Sequence, residues 1–231
     1  MYVALADAYG PQQWWPAETP FEVIVGAYLT QNTSWQAVEK SIKNLRNKDV
    51  LNLEGLRTIS ETELQVLIKP SGFMRRKAAS IKAFIHFLDR QYDGSLAQFS
   101  LQETEEARAQ LLALPGVGPE TADAILLYAL GKPVMVADEY LRRLVMRHGL
   151  VHEKVRYTEI QQLALDAFAD DSITSRIQHY NEFHAVVVEL GKRHCRRQPD
   201  CDGCPLSKPV FHPPRLTSGT VKPARKAVTR K

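Results

Sequence analysis

The sequence predicts an all-α protein, and three observations carry that expectation. Apolar residues recur every three or four positions along most of the chain, the period of one helix face. No segment sustains the two-residue alternation of a half-buried strand. Pro, Gly and short polar residues fall where helices are expected to start and stop. No long-period repeat is present in the 231 residues.

Taken in order, Phe21–Tyr28 (FEVIVGAY) is apolar almost throughout, and its helical surroundings favour a buried helix over a strand. Trp35, Val38, Ile42 and Leu45 then trace one helix face, with Thr33 or Ser34 placed to cap it. Ser60-x-x-Glu63 has the form of a capping box ahead of Leu64, Val66 and Leu67. Ile81, Phe84, Ile85 and Leu88 form the next stripe. Ser100-x-x-Glu103 predicts a second box opening a long Glu- and Ala-rich helix. Residues 119–130 begin with Pro119 and stop at Gly131, the usual asymmetry of helix ends. Asp138 precedes a helical pattern (Leu141, Leu144, Val145) ending at Gly149. Thr158-x-x-Gln161 opens another, and Ile177, Tyr180, Phe183, Val187 and Leu190 line the last one before Gly191.

The charge is uneven. The chain has 30 Lys plus Arg against 26 Asp plus Glu, but residues 212–231 hold six of the basic residues and no acid. Residues 1–211 therefore carry a net −2, so any polyanion site must be local. The terminal segment reads as a basic disordered tail, able to add nonspecific phosphate attraction. No apolar run approaches the roughly 18 residues of a membrane span, and MYVALADAYG shows no basic region followed by a long apolar stretch and cleavage site, so secretion is not expected. All three cysteines lie within 195–204, which excludes a disulfide framework and points to a reducing, cytoplasmic setting.

The segment richest in chemistry is Leu112–Leu126 (LALPGVGPETADAIL), read as helix, Gly-Val-Gly turn, helix. Gly116 and Gly118 lack a Cβ, so another molecule can approach the backbone. Turn amides and the first amides of the next helix have no intrahelical acceptor, which suits a phosphate. A plain helix connection with glycines at a crossing is the alternative. For Asp138 the alternative to catalysis is an ordinary helix N-cap, and the two roles are compatible.

Leu114-Pro-Gly-Val-Gly118, then Thr121-Ala122, then Val136-Ala-Asp138, resembles the helix-hairpin-helix DNA glycosylases of the endonuclease III superfamily over about residues 14–205. The resemblance implies two helical domains, one of six helices over 19–132 and one built from 1–18 plus 133–211. It also implies double-stranded DNA in the cleft between them, one damaged nucleotide flipped out, and a protein acting as a monomer. Leu114, Gly116, Val117, Gly118 and Thr121 become DNA-binding residues, and Asp138 the acid that stabilises an oxocarbenium-like sugar and helps activate water. Bifunctional members carry a nucleophilic Lys where this chain has Glu120. A carboxylate forms no Schiff base, so strand cleavage is expected to be weak or absent.

Trp14-Trp15-Pro16, Gln31-Asn-Thr-Ser-Trp35 and Glu120-Thr-Ala-Asp-Ala-Ile-Leu-Leu-Tyr128 resemble the 3-methyladenine DNA glycosylase III group. This implies hydrolytic release of an alkylated purine. Such a base is cationic and already a good leaving group, and aromatic faces attract it by about 0.5–2 kcal/mol per contact. Trp14, Trp15 and Trp35 are the expected pocket walls, core packing being their alternative. Gln31 is expected to enter the space left by the flipped nucleotide. Phe73 and Met74 are candidates for a wedge on the opposite side of the duplex, a core or surface role being the alternative. Arg75, Arg76 and Lys77 read first as a solvated helix start, with phosphate contact the secondary hypothesis. Glu120 is a candidate second catalytic group.

Cys195-x5-Cys201-x2-Cys204 resembles the family's iron–sulfur loop, but a fourth Cys is missing near Val210. His212 and His194 are the nearby substitutes. A [4Fe-4S] cluster with an external fourth ligand, a zinc site and a relic loop all stay open at this point, and the cleft chemistry needs no cofactor. Two further readings also stand: a glycosylase for oxidised pyrimidines or mismatched bases, and a non-catalytic helix-hairpin-helix module that binds DNA.

Overall fold

The computed structural model describes residues 1–12 and 14–207. Val210, His212 and the basic tail lie outside them. Among the described residues the chain is helical throughout, with no strand: α1 (Tyr2–Tyr9), α2 (Pro20–Thr30), α3 (Trp35–Asn47), α4 (Leu53–Thr58), α5 (Glu61–Leu67), α6 (Met74–Tyr92), α7 (Leu96–Ser100), α8 (Thr104–Leu112), α9 (Pro119–Ala124), α10 (Glu139–Arg147), α11 (Tyr157–Ala167) and α12 (Ile173–Arg193). A 3-10 turn spans Lys69–Ser71, and a π-turn, Ile125–Ala129, continues α9. Among the described residues no helix is long and apolar enough to cross a membrane.

The apolar stripes pack into two clusters. One joins α2 through α9 around Ile24, Tyr28, Leu45, Ile81, Phe84 and Phe99. The other joins α1 and α10 through α12 around Leu5, Leu141, Leu144, Tyr180 and Leu190, with Leu127 and Val136 reaching into it. Eight residues of α2 are buried, so the FEVIVGAY stretch is the buried helix its setting suggested. The helix after Pro119 runs to the predicted end at Gly131 only by changing pitch at Ile125, where the amide of Leu130 bonds to the Ile125 carbonyl.

Four boundary expectations need correction. Ser60 does cap α5, accepting from the Glu63 amide. Ser100, by contrast, ends α7 and donates to the Ala97 carbonyl, and α8 starts at Thr104 and runs only nine residues. The local Ser-x-x-Glu pattern was outcompeted by a short helix already using that serine. Helix α11 starts at Tyr157, one residue before Thr158, because Arg156 and Glu159 close the first turn. Ser34 precedes α3 without a side-chain cap bond.

The fourth correction is that α12 runs through Gly191 rather than stopping there. A Cβ built at Gly191 would sit 2.1 Å from the Tyr140 ring, so the glycine is a packing notch between α12 and α10. Gly191→Ala should therefore destabilise the protein by about 1–3 kcal/mol through overpacking. Thermal unfolding checks this: in a Tyr140→Ala background, which empties the notch, the same change should lower Tm little further.

Candidate active site

The two clusters meet at a cavity of about 720 Å³, lined by residues from α2, α3, α9, α10 and α12. Trp14, Trp15 and Trp35 form one wall. Their ring centroids lie 5.4–6.0 Å apart. Trp15 also packs against α2 and the π-turn. Its indole approaches Gly26 of α2 so closely that a Cβ there would lie 3.3 Å away, which accounts for a glycine inside a buried helix. On its other side it touches Tyr128, at 5.4 Å between centroids. Trp35 is oriented by its indole N–H, which donates to Glu39 at 2.8 Å.

Facing this wall is Asp138, 8% exposed, at the N-terminus of α10. Its Oδ1 accepts the Leu141 amide at 2.8 Å, so the residue is an N-cap and still presents Oδ2 toward the cavity side. His184 of α12 brings Nε2 within 3.3 Å of that Oδ2. Glu120, in the first turn of α9, lines the same cavity and opens to solvent. Loss of hydration in the cleft, reinforced by the Asp138 charge, raises its carboxyl above the usual range. Arg143 and Lys192 also line the cavity, with the Lys192 ammonium 5.2 Å above the Trp14 ring.

The hairpin reaches this cavity through α9. Gly116 has φ +78°, and a Cβ there would strike Ser80 of α6 at 2.3 Å. That glycine is required by both backbone and packing. The amides of Gly116 and Gly118 find no acceptor among the described residues, the condition an incoming phosphate needs. Gln31 is tied to the hairpin, its Nε2 donating to the Gly116 carbonyl and to Thr121 Oγ1, both at 2.9 Å. Phe73 stands 66% exposed with φ +46°, and Met74 beside it packs on the first cluster.

In sequence Lys77 belongs to one basic run with Arg75 and Arg76, and the structure separates it from them. Lys77 is 2% exposed and donates to the Leu29 and Ser71 carbonyls at 2.8 Å each. It thus ties the loop bearing Gln31 to the turn bearing Phe73. Burial pushes its ammonium down from 10.5 to about 8. An unfolded Lys still binds a proton between those two values where the native one has lost it, so folding becomes more favourable as pH rises through that window. Relative to Lys77→Met, the wild-type chain should gain stability from pH 8 to 10.5 in urea titrations.

None of the motifs legible in the sequence assigns a role to Asp123. It is fully buried in α9, where it pairs with Arg108 (2.7 and 3.1 Å) and accepts from Tyr157 and Gln161 at 2.8 Å each. Tyr157 in turn accepts the Ala137 amide and Gln161 donates to the Met135 carbonyl, so this node sets the strand of chain leading into Asp138. A carboxylate on an otherwise apolar helix face was the available signal.

Within the described residues the cysteine loop offers three thiols and no fourth Cys. Among the described residues no three His, Cys, Asp or Glu side chains come together as a metal-holding group. Cys195 Sγ instead accepts from Arg147 at 3.2 Å, while the same guanidinium binds the Arg196 and Arg197 carbonyls. His194, one candidate substitute, faces the Asp200 carbonyl at 3.2 Å.

The family profile of HhH-GPD superfamily base excision DNA repair proteins matches residues 25–169. A Methanocaldococcus jannaschii protein, provisionally named a DNA repair glycosylase, is 41% identical over 90% of this chain and 93% of its own length. The H. pylori 3-methyladenine DNA glycosylase bound to 1,N6-ethenoadenine is 32% identical, covering 83% of this chain and 93% of that one, with a TM-score of 0.69. A non-covalent endonuclease III–DNA complex shares the fold at a TM-score of 0.73 and 23% identity, over 89% of this chain and 90% of that one.

Proposed function

The chain belongs to the HhH-GPD superfamily of base excision DNA repair proteins and is a DNA glycosylase, and from that premise we propose that it hydrolyses the glycosidic bond of alkylated purines, 3-methyladenine foremost, without cutting the strand. The observation carrying this reading is the cavity itself, where three indoles line the same space as the carboxylates of Glu120 and Asp138. A purine N-alkylated on the ring is a flat cation. Indole faces attract it through their quadrupoles, and Glu120 and Asp138 attract its charge. About 720 Å³ is ample for a flipped purine nucleotide.

The chemistry then needs little acid. As the bond from C1′ to the base breaks, its electron pair leaves with the base and cancels the base's positive charge. The sugar becomes oxocarbenium-like, and Asp138 stabilises it through Oδ2 while Oδ1 stays on the helix cap. Water adds to C1′ and gives up its proton to Asp138. Position 120 offers no amine, so no covalent imine forms there. The unpaired hairpin amides are suited to holding backbone phosphate, with Phe73 and Gln31 flanking the extruded nucleotide. The two helical units then act as the jaws of the DNA cleft.

A panel of duplexes carrying one lesion each tests this. Release of 3-methyladenine with intact strands is expected. Release of thymine glycol or of a mismatched base, with methylated DNA ignored, would reassign the substrate, and binding without any release would make the chain a non-catalytic module. Glu120→Gln refines the point. It keeps the side-chain shape but removes a charge, so release of cationic 3-methyladenine should fall by about tenfold. Release of neutral 1,N6-ethenoadenine should change little in the same single-turnover assay.

A further inference from the structure

One buried side chain at the cavity has no part in the steps above. His184 lies mid-way along α12, 6% exposed, and its two ring nitrogens face different partners. Nδ1 lies 2.5 Å from the Tyr128 hydroxyl, and Nε2 lies 3.3 Å from Asp138 Oδ2. That second approach is near but misaligned, and Nε2 makes no hydrogen bond among the described residues. Tyr128 comes from the π-turn after α9, an irregularity that sets its ring between Trp15 and His184.

The proton positions follow from the partners. A phenol has one proton. Given to Nδ1, it leaves the ring proton on Nε2, pointing at a carboxylate. The reverse arrangement would aim an Nε2 lone pair at Asp138, which is repulsive. Burial, followed by the charges of Asp138 and Glu182, raises the Tyr128 pKa and keeps the phenol protonated. Asp138 needs this support. Its cap bond fixes only Oδ1, leaving the carboxylate free to pivot, and the Glu120 carboxyl shares the cavity with it.

We propose that Tyr128 and His184 are positioning residues for Asp138: Tyr128 holds the proton on Nε2, and that N–H closes onto Oδ2 to fix the carboxylate plane against the forming sugar cation. This rests on the glycosylase reading and names two residues that serve it without touching the substrate.

The test uses the full chain, a 3-methyladenine duplex, single-turnover base release and separately measured DNA affinity. His184→Leu is expected to slow release by about 10- to 100-fold with affinity unchanged. His184→Gln places an amide N–H near the Nε2 position and should stay within about threefold of wild type. His184→Asn, whose shorter amide cannot reach Oδ2, should be as slow as His184→Leu. Tyr128→Phe should slow release by itself yet add nothing to His184→Leu. Nitrogen NMR of 15N-histidine protein should find the His184 ring proton on Nε2, redistributed in Tyr128→Phe. Wild-type release by His184→Leu overturns the proposal, as do equal rates for the Gln and Asn variants or a ring proton on Nδ1. Should His184→Leu fail to fold, the Gln and Asn comparison decides. A wild-type chain releasing no base from any lesion would instead defeat the functional reading itself.

Discussion

Replacing Asp138 with Asn should slow base release by about 10²–10³-fold while leaving fold and DNA affinity nearly intact. The prediction separates the two roles of this residue. As a helix cap, Asp138 Oδ1 accepts the Leu141 amide, and an Asn carbonyl does that equally well. As a stabiliser of positive charge at C1′ it acts through Oδ2, where Asn offers no net charge. Asp138→Ala should lose both, adding about 0.5–2 kcal/mol of destabilisation to the kinetic defect. Single-turnover release and thermal unfolding on both variants distinguish the contributions. A fully active Asp138→Asn protein would remove the acid from the mechanism.

The second large effect concerns stability. Asp123 is fully buried with Arg108, Tyr157 and Gln161 arranged around it. Truncating it to Ala strands the Arg108 guanidinium, which is 19% exposed, against apolar helices. Breaking a buried pair from one side typically costs about 3–5 kcal/mol, which for a chain of this size lowers Tm by on the order of 10 °C. The loss should exceed that from removing any surface pair, such as Arg142 with Glu139, which is worth about 0–1 kcal/mol. Because Tyr157 and Gln161 also hold Ala137 and Met135, Asp123→Ala should reduce activity at temperatures where the protein is still folded.

What was legible in the sequence was local. The helix class, the buried α2, the Asp138 cap and the glycine turn each follow from a few adjacent residues. The indoles were identifiable as a set because all three lie in two short segments, although only folding brings Trp35 within 5.4 Å of Trp15. What escaped is non-local. His184 is 46 positions beyond Asp138, on a helix whose apolar stripe gives no hint that one member faces a carboxylate. Lys77 sits in a basic run that resembles a solvated helix start, and only the depth of its backbone shows it turned inward. Gly191 was misread as a stop because a glycine that ends a helix and one that admits Tyr140 are identical in sequence. The Ser100 box failed for a related reason: a short local pattern cannot show that its serine already belongs to the preceding turn.

The central claim is that hydrolysis occurs in the indole-lined cavity with no amine attacking the sugar. Incubation with a 3-methyladenine duplex in the presence of borohydride tests it most directly. The account predicts free base, a strand that breaks only after alkali, and no protein joined to DNA. A reduced covalent protein–DNA adduct would contradict it, and Lys192, the one lysine among the described residues that line the cavity, would be the first residue to examine for that bond.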